Sequence, residues 1–87
     1  MAFSILSAPA KMKLPVGRYL KLIRFNANGD VAGTLDVDGI LDADFIGVFP
    51  EDSADGYAVG ALDASGLAVS GLDAAGTYDV LVVGLGQ

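Results

Sequence analysis

The phrase LDASG at residues 62–66 recurs ten positions later as LDAAG at residues 72–76. Asp favours the first position of a type I turn, and Gly favours the last position, where φ is positive. Both copies adjoin apolar segments of strand length, and ten residues correspond to one strand plus one turn. The repeat therefore predicts two successive hairpins, although a ligand site with two copies of Asp is the alternative interpretation. The turn-forming residues of these hairpins are Asp63, Gly66, Asp73 and Gly76.

Earlier in the chain, Asn28 and Gly29 predict a further turn, because Asn tolerates left-handed geometry and Gly adopts it freely. A strand is favoured before this turn, over residues 18–25, and a returning strand after it, over residues 31–37. No window of the sequence follows the 3.6-residue period of an amphipathic helix. We expect an all-β fold, a small antiparallel β-barrel or β-sandwich of about six to seven strands arranged as a hairpin meander.

Two prolines, Pro9 and Pro15, punctuate the N-terminal region. Proline lacks the N–H that a central strand donates, so residues 1–17 are expected to form an extended N-terminal arm or an edge segment. Residues 18–87 are expected to form a single small β domain. A chain of this size buries only about 60–65% of its unfolded surface, and association with other subunits is one way to stabilise such a thin core.

The charged residues are segregated along the chain. All five basic residues lie within the first 24 positions and all eleven acidic residues follow them, which gives a net charge of −6. This asymmetry indicates a basic segment that docks on an acidic protein surface or on a neighbouring copy, the alternative being that the charges only solvate one strand. Nucleic acid is not an expected partner, because the acidic body would repel phosphates. The candidate partner-binding residues are Lys11, Lys13, Arg18, Lys21 and Arg24.

The stretch at residues 36–44 is similar to a calcium-binding loop. Asp36, Asp38 and Asp42 flank Gly39 at spacings that suit oxygen ligands around a sharp bend. They are weak metal candidates only, because Phe45 stands where such a loop needs a bidentate Glu. A solvated turn is the favoured interpretation, and no metal or other cofactor is expected.

Catalysis is not expected either. The chain contains no His and no Cys, so it lacks the usual general base at neutral pH and a thiolate nucleophile. Asp42 and Asp44 lie on the same side of a predicted strand, and paired carboxylates can serve a glycosidase. No aromatic platform or other residue supports that chemistry, so the chain is not expected to be an enzyme.

Membrane insertion and secretion are also not expected. No apolar run approaches the roughly 20 residues of a membrane-spanning helix. Lys11 and Lys13 follow the first apolar stretch, whereas the positive charge of a secretory signal precedes it.

The middle of the chain, over roughly residues 18–60, resembles the small capsid cement, or head decoration, proteins of tailed bacteriophages. The features that carry the resemblance are RYLKL at 18–22, NGDV at 28–31, FIGV at 45–48 and the acidic Gly-containing loop at 51–56, in this order. The repeat at residues 62–76 has no counterpart in that pattern.

The resemblance implies a virion structural protein that binds the outside of the major capsid protein shell and bridges neighbouring capsomers. It further implies a homo-oligomer, with a trimer favoured, located on the capsid surface after assembly in the host cytoplasm. The family has no catalytic residues to transfer. The alternative function is a small β binding module of a phage tail fibre or surface adhesin that recognises glycan or calcium.

Overall fold

A computed structural model describes residues 3–37, 39–63 and 65–86, with the exception of the Leu41 side chain. The prediction of an all-β fold is confirmed, since the described residues form eight strands and no helix. The strands are β1 (Ser4–Ser7), β2 (Met12–Lys13), β3 (Arg18–Asn26), β4 (Gly33–Leu35), β5 (Ile40–Pro50), β6 (Ala58–Asp63), β7 (Gly66–Ser70) and β8 (Thr77–Gly86).

The strands form two antiparallel sheets in a sandwich-like arrangement and do not close into a barrel. The larger sheet has the order β1-β3-β8-β5, with β2 also paired to β3, and the smaller sheet has the order β4-β7-β6. In the larger sheet β8 lies between β3 and β5, with its residues 77–85 paired to β3 and its residues 78–86 paired to β5. These three long strands form the platform on which the rest of the chain is built.

The core lies between the two sheets. Successive side chains of a strand point to opposite faces, so every second residue of β3 and β8 enters this core. Phe25 and Tyr78 are fully buried neighbours on β3 and β8, with ring centroids 5.5 Å apart. Leu35 and Leu67 supply the facing side chains from the smaller sheet and are equally buried.

The two copies of the repeated phrase both form turns, but only the first turn closes a hairpin. Asp63 and Gly66 close a hairpin between β6 and β7, and the φ of +119° at Gly66 has the sign that the turn prediction requires. Asp73 and Gly76 also form a turn, in which the Gly76 N–H donates to the Asp73 carbonyl at 2.9 Å. The second hairpin is nevertheless not formed, because β8 pairs with β3 and β5 in the other sheet. The ten residues of β8 find long partners there, whereas β7 offers only five residues.

The turn predicted at Asn28 and Gly29 is confirmed, with positive φ at both residues, as a type I′ turn requires. The returning strand predicted after it does not pair with β3. It is the short strand β4, which pairs with β7. The turn instead lies against the turn at residues 73–76, where the Gly29 N–H donates to the Ala74 carbonyl at 2.9 Å. Both turns therefore carry the chain between sheets, which a meander does not do.

The N-terminal segment lies along the β3 edge of the larger sheet. β1 and β2 pair in turn with the two ends of β3. The Phe3 ring packs against Phe25 at 4.9 Å between centroids, so this segment also contributes to the core.

Candidate partner-binding face

The most prominent surface feature is the face of β3, β8 and β5 that points away from the core, which we call the outer face. Its apolar members are Leu20, Leu22, Phe45, Phe49, Leu81, Val83 and Leu85. Leu22, Phe45 and Phe49 are 44%, 53% and 54% exposed. The β5–β8 register is irregular between Ile40 and Asp42 and between Ala43 and Phe45, and it is regular from Phe45 to Pro50. In the regular part the side chains form rows across the strands, such as Leu20 beside Val83 beside Phe45.

Gly47 lies in the middle of this face, between the two phenylalanines. A methyl group placed on Gly47 would lie 3.1 Å from the Phe45 ring and 3.2 Å from the Phe49 ring. Both rings therefore lean over the glycine, which has no side chain to separate them. The result is an exposed aromatic surface at the β5 side of the sheet.

Ion pairs flank the outer face at both ends. At one end Arg18 pairs with Asp44. At the other end the Arg24 guanidinium pairs with Glu51 and also donates to the Asp79 carboxylate at 3.0 and 3.2 Å. These groups are partly exposed, so each pair contributes little to the free energy of folding. Their effect is to frame an apolar strip with polar groups at its two ends.

The predicted basic docking residues are largely occupied within the chain. Lys21 is buried and its ammonium donates to the Pro9 carbonyl at 2.7 Å, so it holds the N-terminal segment and does not face a partner. Lys11 donates to the Gly39 carbonyl at 3.1 Å and lies 4.3 Å from the centre of the Tyr19 ring. Arg18 and Arg24 form the ion pairs just described.

Lys13 on β2 is exposed, and none of the described residues forms an ion pair with it. The five basic residues thus do not form one open cationic patch. The two arginines bracket an apolar surface instead.

The structure describes two of the three weak metal candidates, Asp36 and Asp42. Asp36 follows β4 of the smaller sheet, Asp42 lies in β5 of the larger sheet, and Asp38 lies outside the described residues. No group of three or more potential metal ligands occurs within the described part of the chain.

Acidic residues do meet where the loop after β5 approaches the turn before β8. Partial burial raises the pKa of Asp55 above its ordinary value, and the nearby carboxylates of Asp73 and Asp52 raise it further. The Tyr78 hydroxyl joins the two segments by donating to the Gly56 carbonyl at 2.7 Å and accepting from the Asp73 N–H at 2.8 Å. This contact fixes the loop that follows the outer face.

Reasoning from the sequence did not identify the outer face. The signal was present in β8, where VLVVGL at residues 80–85 is apolar at every position. A strand that is apolar on both sides is typical of a sheet covered on both faces. The smaller sheet covers only one face here.

Comparison with protein-family models, with curated proteins and with solved structures found no match to this chain. Among the described residues there is no helix with the length and hydropathy needed to cross a bilayer.

Proposed function

We propose that this chain is a virion structural protein, a capsid decoration protein that binds the outside of the major capsid protein shell and stabilises it. The observation that carries the proposal is the outer face, a contiguous apolar surface framed by ion pairs. Exposed apolar patches with polar rims are typical of protein–protein contact sites. The sequence resemblance to phage decoration proteins supplies the identity of the partner.

The outer face suits docking on a large, preformed surface. It lies on three long paired strands, so its side chains are held in place before binding and little ordering is required. Phe45 and Phe49 are aromatic residues of the kind that are enriched in interface cores. Arg18 and Arg24 are positioned at the rim, where they can exchange their internal partners for acidic groups of a shell.

The experiment is co-sedimentation of the purified chain with phage heads that lack their decoration layer. The test variant is Leu22→Gln on β3 of the outer face. The matched control is Val59→Gln on β6 of the smaller sheet, because Leu22 and Val59 are similarly exposed, at 44% and 40%. Both variants should keep the wild-type melting temperature.

We expect saturable binding by the wild-type chain at a fixed ratio to capsid subunits. Leu22→Gln should weaken it roughly fivefold, since the buried part of one Leu is lost from the interface, and Val59→Gln should not change it. Equal binding by the two variants would show that the outer face does not contact the shell. No binding by the wild-type chain would contradict the capsid proposal and would make glycan and calcium titrations of a tail-fibre or adhesin module the next measurement.

A further inference from the structure

The outermost strand β5 has a free edge with an unusual composition. No strand of the described chain pairs with β5 on the side opposite β8. The segment at residues 45–50 reads FIGVFP and carries no charge. Natural proteins usually protect an exposed edge with Lys, Pro, bulges or short strands. The opposite edge of this sheet has such protection in Pro9, Pro15 and the very short strand β2.

The direction of the free main-chain groups follows from the register. The Glu51 N–H donates to the Thr77 carbonyl at 2.9 Å, directly after the last β5–β8 pair. Since N–H and C=O groups alternate in direction along an antiparallel strand, those of Phe45, Gly47 and Phe49 point to β8. Those of Ile46 and Val48 point away from the sheet. The register is regular from Phe45 to Pro50, so this alternation is uninterrupted.

The sequence of this edge is symmetric about Gly47. Phe45 and Phe49 stand two residues before and after it, and Ile46 and Val48 are its immediate neighbours. An antiparallel copy of the same strand with a two-fold axis at Gly47 would place Phe45 opposite Phe49, and Ile46 opposite Val48. The edge is therefore complementary to itself.

We propose that β5 pairs with β5 of a second copy of this chain, antiparallel, about a two-fold axis at Gly47. Ile46 and Val48 then form the hydrogen-bonded pairs, which gives four main-chain hydrogen bonds across the axis. Phe45 and Phe49 form the pairs without hydrogen bonds, in which side chains approach most closely and aromatic pairs are favourable. Pro50 ends the pairing, because it has no N–H to donate.

A second copy fits this edge better than a ring of copies. A three-fold ring would need β5 to contact a different surface of its neighbour, since ring contacts are head-to-tail. The other edge of the larger sheet is the short, proline-flanked one, which offers few main-chain groups. A two-fold pairing uses the regular apolar edge twice and joins two outer faces into one continuous apolar surface.

The area of the β5–β5 contact determines how strong the dimer is expected to be. About half of Phe45 and half of Phe49 is exposed, so each contributes about 100 Å² of exposed area to the contact. Even with the main chain of five paired residues, the interface stays below the roughly 1,200 Å² of a standard stable complex. The dimer is therefore weak and dissociates on dilution, and it becomes populated where many copies are held close together.

The test uses charge pairs that distinguish this register from any other. The variant with Phe45→Lys and Phe49→Glu in one chain places opposite charges across the two-fold axis. The variants with both residues changed to Glu, or both changed to Lys, place like charges there. All three variants lose the aromatic pairs. The net charge of the mixed variant lies between the net charges of the two like-charge variants. Because the changed residues are half exposed, the fold should persist, which circular dichroism would check.

Sedimentation equilibrium of the purified chain over a concentration series should show a monomer–dimer equilibrium. Either like-charge variant should weaken it at least about tenfold, and the mixed variant should recover a dimer. Equal weakening in all three variants, or a trimer, would overturn the proposal. The measurement needs no capsid, so its failure is distinct from failure of shell binding.

Residue-resolved amide hydrogen exchange gives a second readout. The amides of Ile46 and Val48 should become protected as the concentration rises, while those of Phe45, Gly47 and Phe49 are already protected by β8. A dimer in which Ile46 and Val48 still exchange fast would contradict pairing through this edge. Protection of the same amides without any response to the charge variants would indicate that another segment adds to the edge, which also overturns the two-fold pairing.

Discussion

The Tyr78 hydroxyl joins two loops that the strand pairing does not hold together, and its removal gives a measurable loss of stability. It donates to the Gly56 carbonyl at 2.7 Å and accepts from the Asp73 N–H at 2.8 Å, while the Tyr78 ring is fully buried. Tyr78→Phe keeps the ring and its contact with Phe25 and removes both hydrogen bonds. The change therefore isolates the hydroxyl.

The magnitude follows from the surroundings of the two partners. A typical hydrogen bond contributes about 0.5–1.5 kcal/mol, and a partner left unpaired in the interior costs more. Gly56 and Asp73 are exposed residues, so water can reach the groups that the hydroxyl leaves. We expect Tyr78→Phe to lower the free energy of unfolding by about 1.5 kcal/mol in total. For a domain of this size, that corresponds to a fall in Tm of about 6–12 °C.

The assay is urea denaturation followed by circular dichroism, with a thermal scan of the same samples. Tyr57→Phe is the matched control, because Tyr57 is 48% exposed and should tolerate the change without loss. Equal stability of Tyr78→Phe and the wild-type chain would refute the claim that this hydroxyl holds the loop after β5 against the turn before β8.

Two further predictions concern the acidic loop and the β5–β8 contact. The raised pKa of Asp55 means that the folded state binds its proton more tightly than the unfolded state does, so this group lowers stability as the pH rises above the ordinary Asp pKa of about 3.9. Asp55→Asn should therefore raise the Tm at neutral pH and leave it unchanged at a pH well below that value; a Tm shift that is the same at both pH values would contradict this. Gly84→Ala should abolish cooperative unfolding in a thermal scan, because the added methyl group would overlap the Asp42 carbonyl of the neighbouring strand. A Gly17→Ala control has open space around the new methyl group, although its positive φ makes it mildly strained. A cooperative transition near the wild-type Tm for Gly84→Ala would contradict the prediction and show that β5 can shift at its register irregularity between Ile40 and Asp42.

Local signals in the sequence were sufficient to predict where the main strands and turns form. Asn28 and Gly29 adopt positive φ, and Asp63 and Gly66 close a hairpin, because these residues favour such turns by their own backbone and side-chain chemistry. The pairing partners were not local information. Asp73 and Gly76 also form a turn, but φ is positive at Gly66 and not at Gly76, and the strand after this second turn joins the other sheet.

For the candidate site, too, the sequence predicted local features but not the partners of the side chains. The sequence showed that Arg18 and Arg24 are segregated from the acidic residues, and it predicted a docking role for the basic group. The tertiary structure gives the arginines acidic partners from β5, β8 and the loop after β5, far along the chain. A side chain's partner in a folded protein is set by which strands become neighbours, and charge order along the chain does not encode this.

The sequence by itself determined that this chain forms antiparallel strands with turns at Asn28 and Gly29 and between Asp63 and Gly66, because turn and strand preferences act over a few residues. Only the tertiary structure decided that β8 lies between β3 and β5, since a central strand is selected by the length and register of its distant partners. That choice buries one face of β8 under the smaller sheet and leaves Leu81 and Val83 on the other. It also leaves the symmetric segment around Gly47 at the edge of the sheet, where a second copy can pair with it.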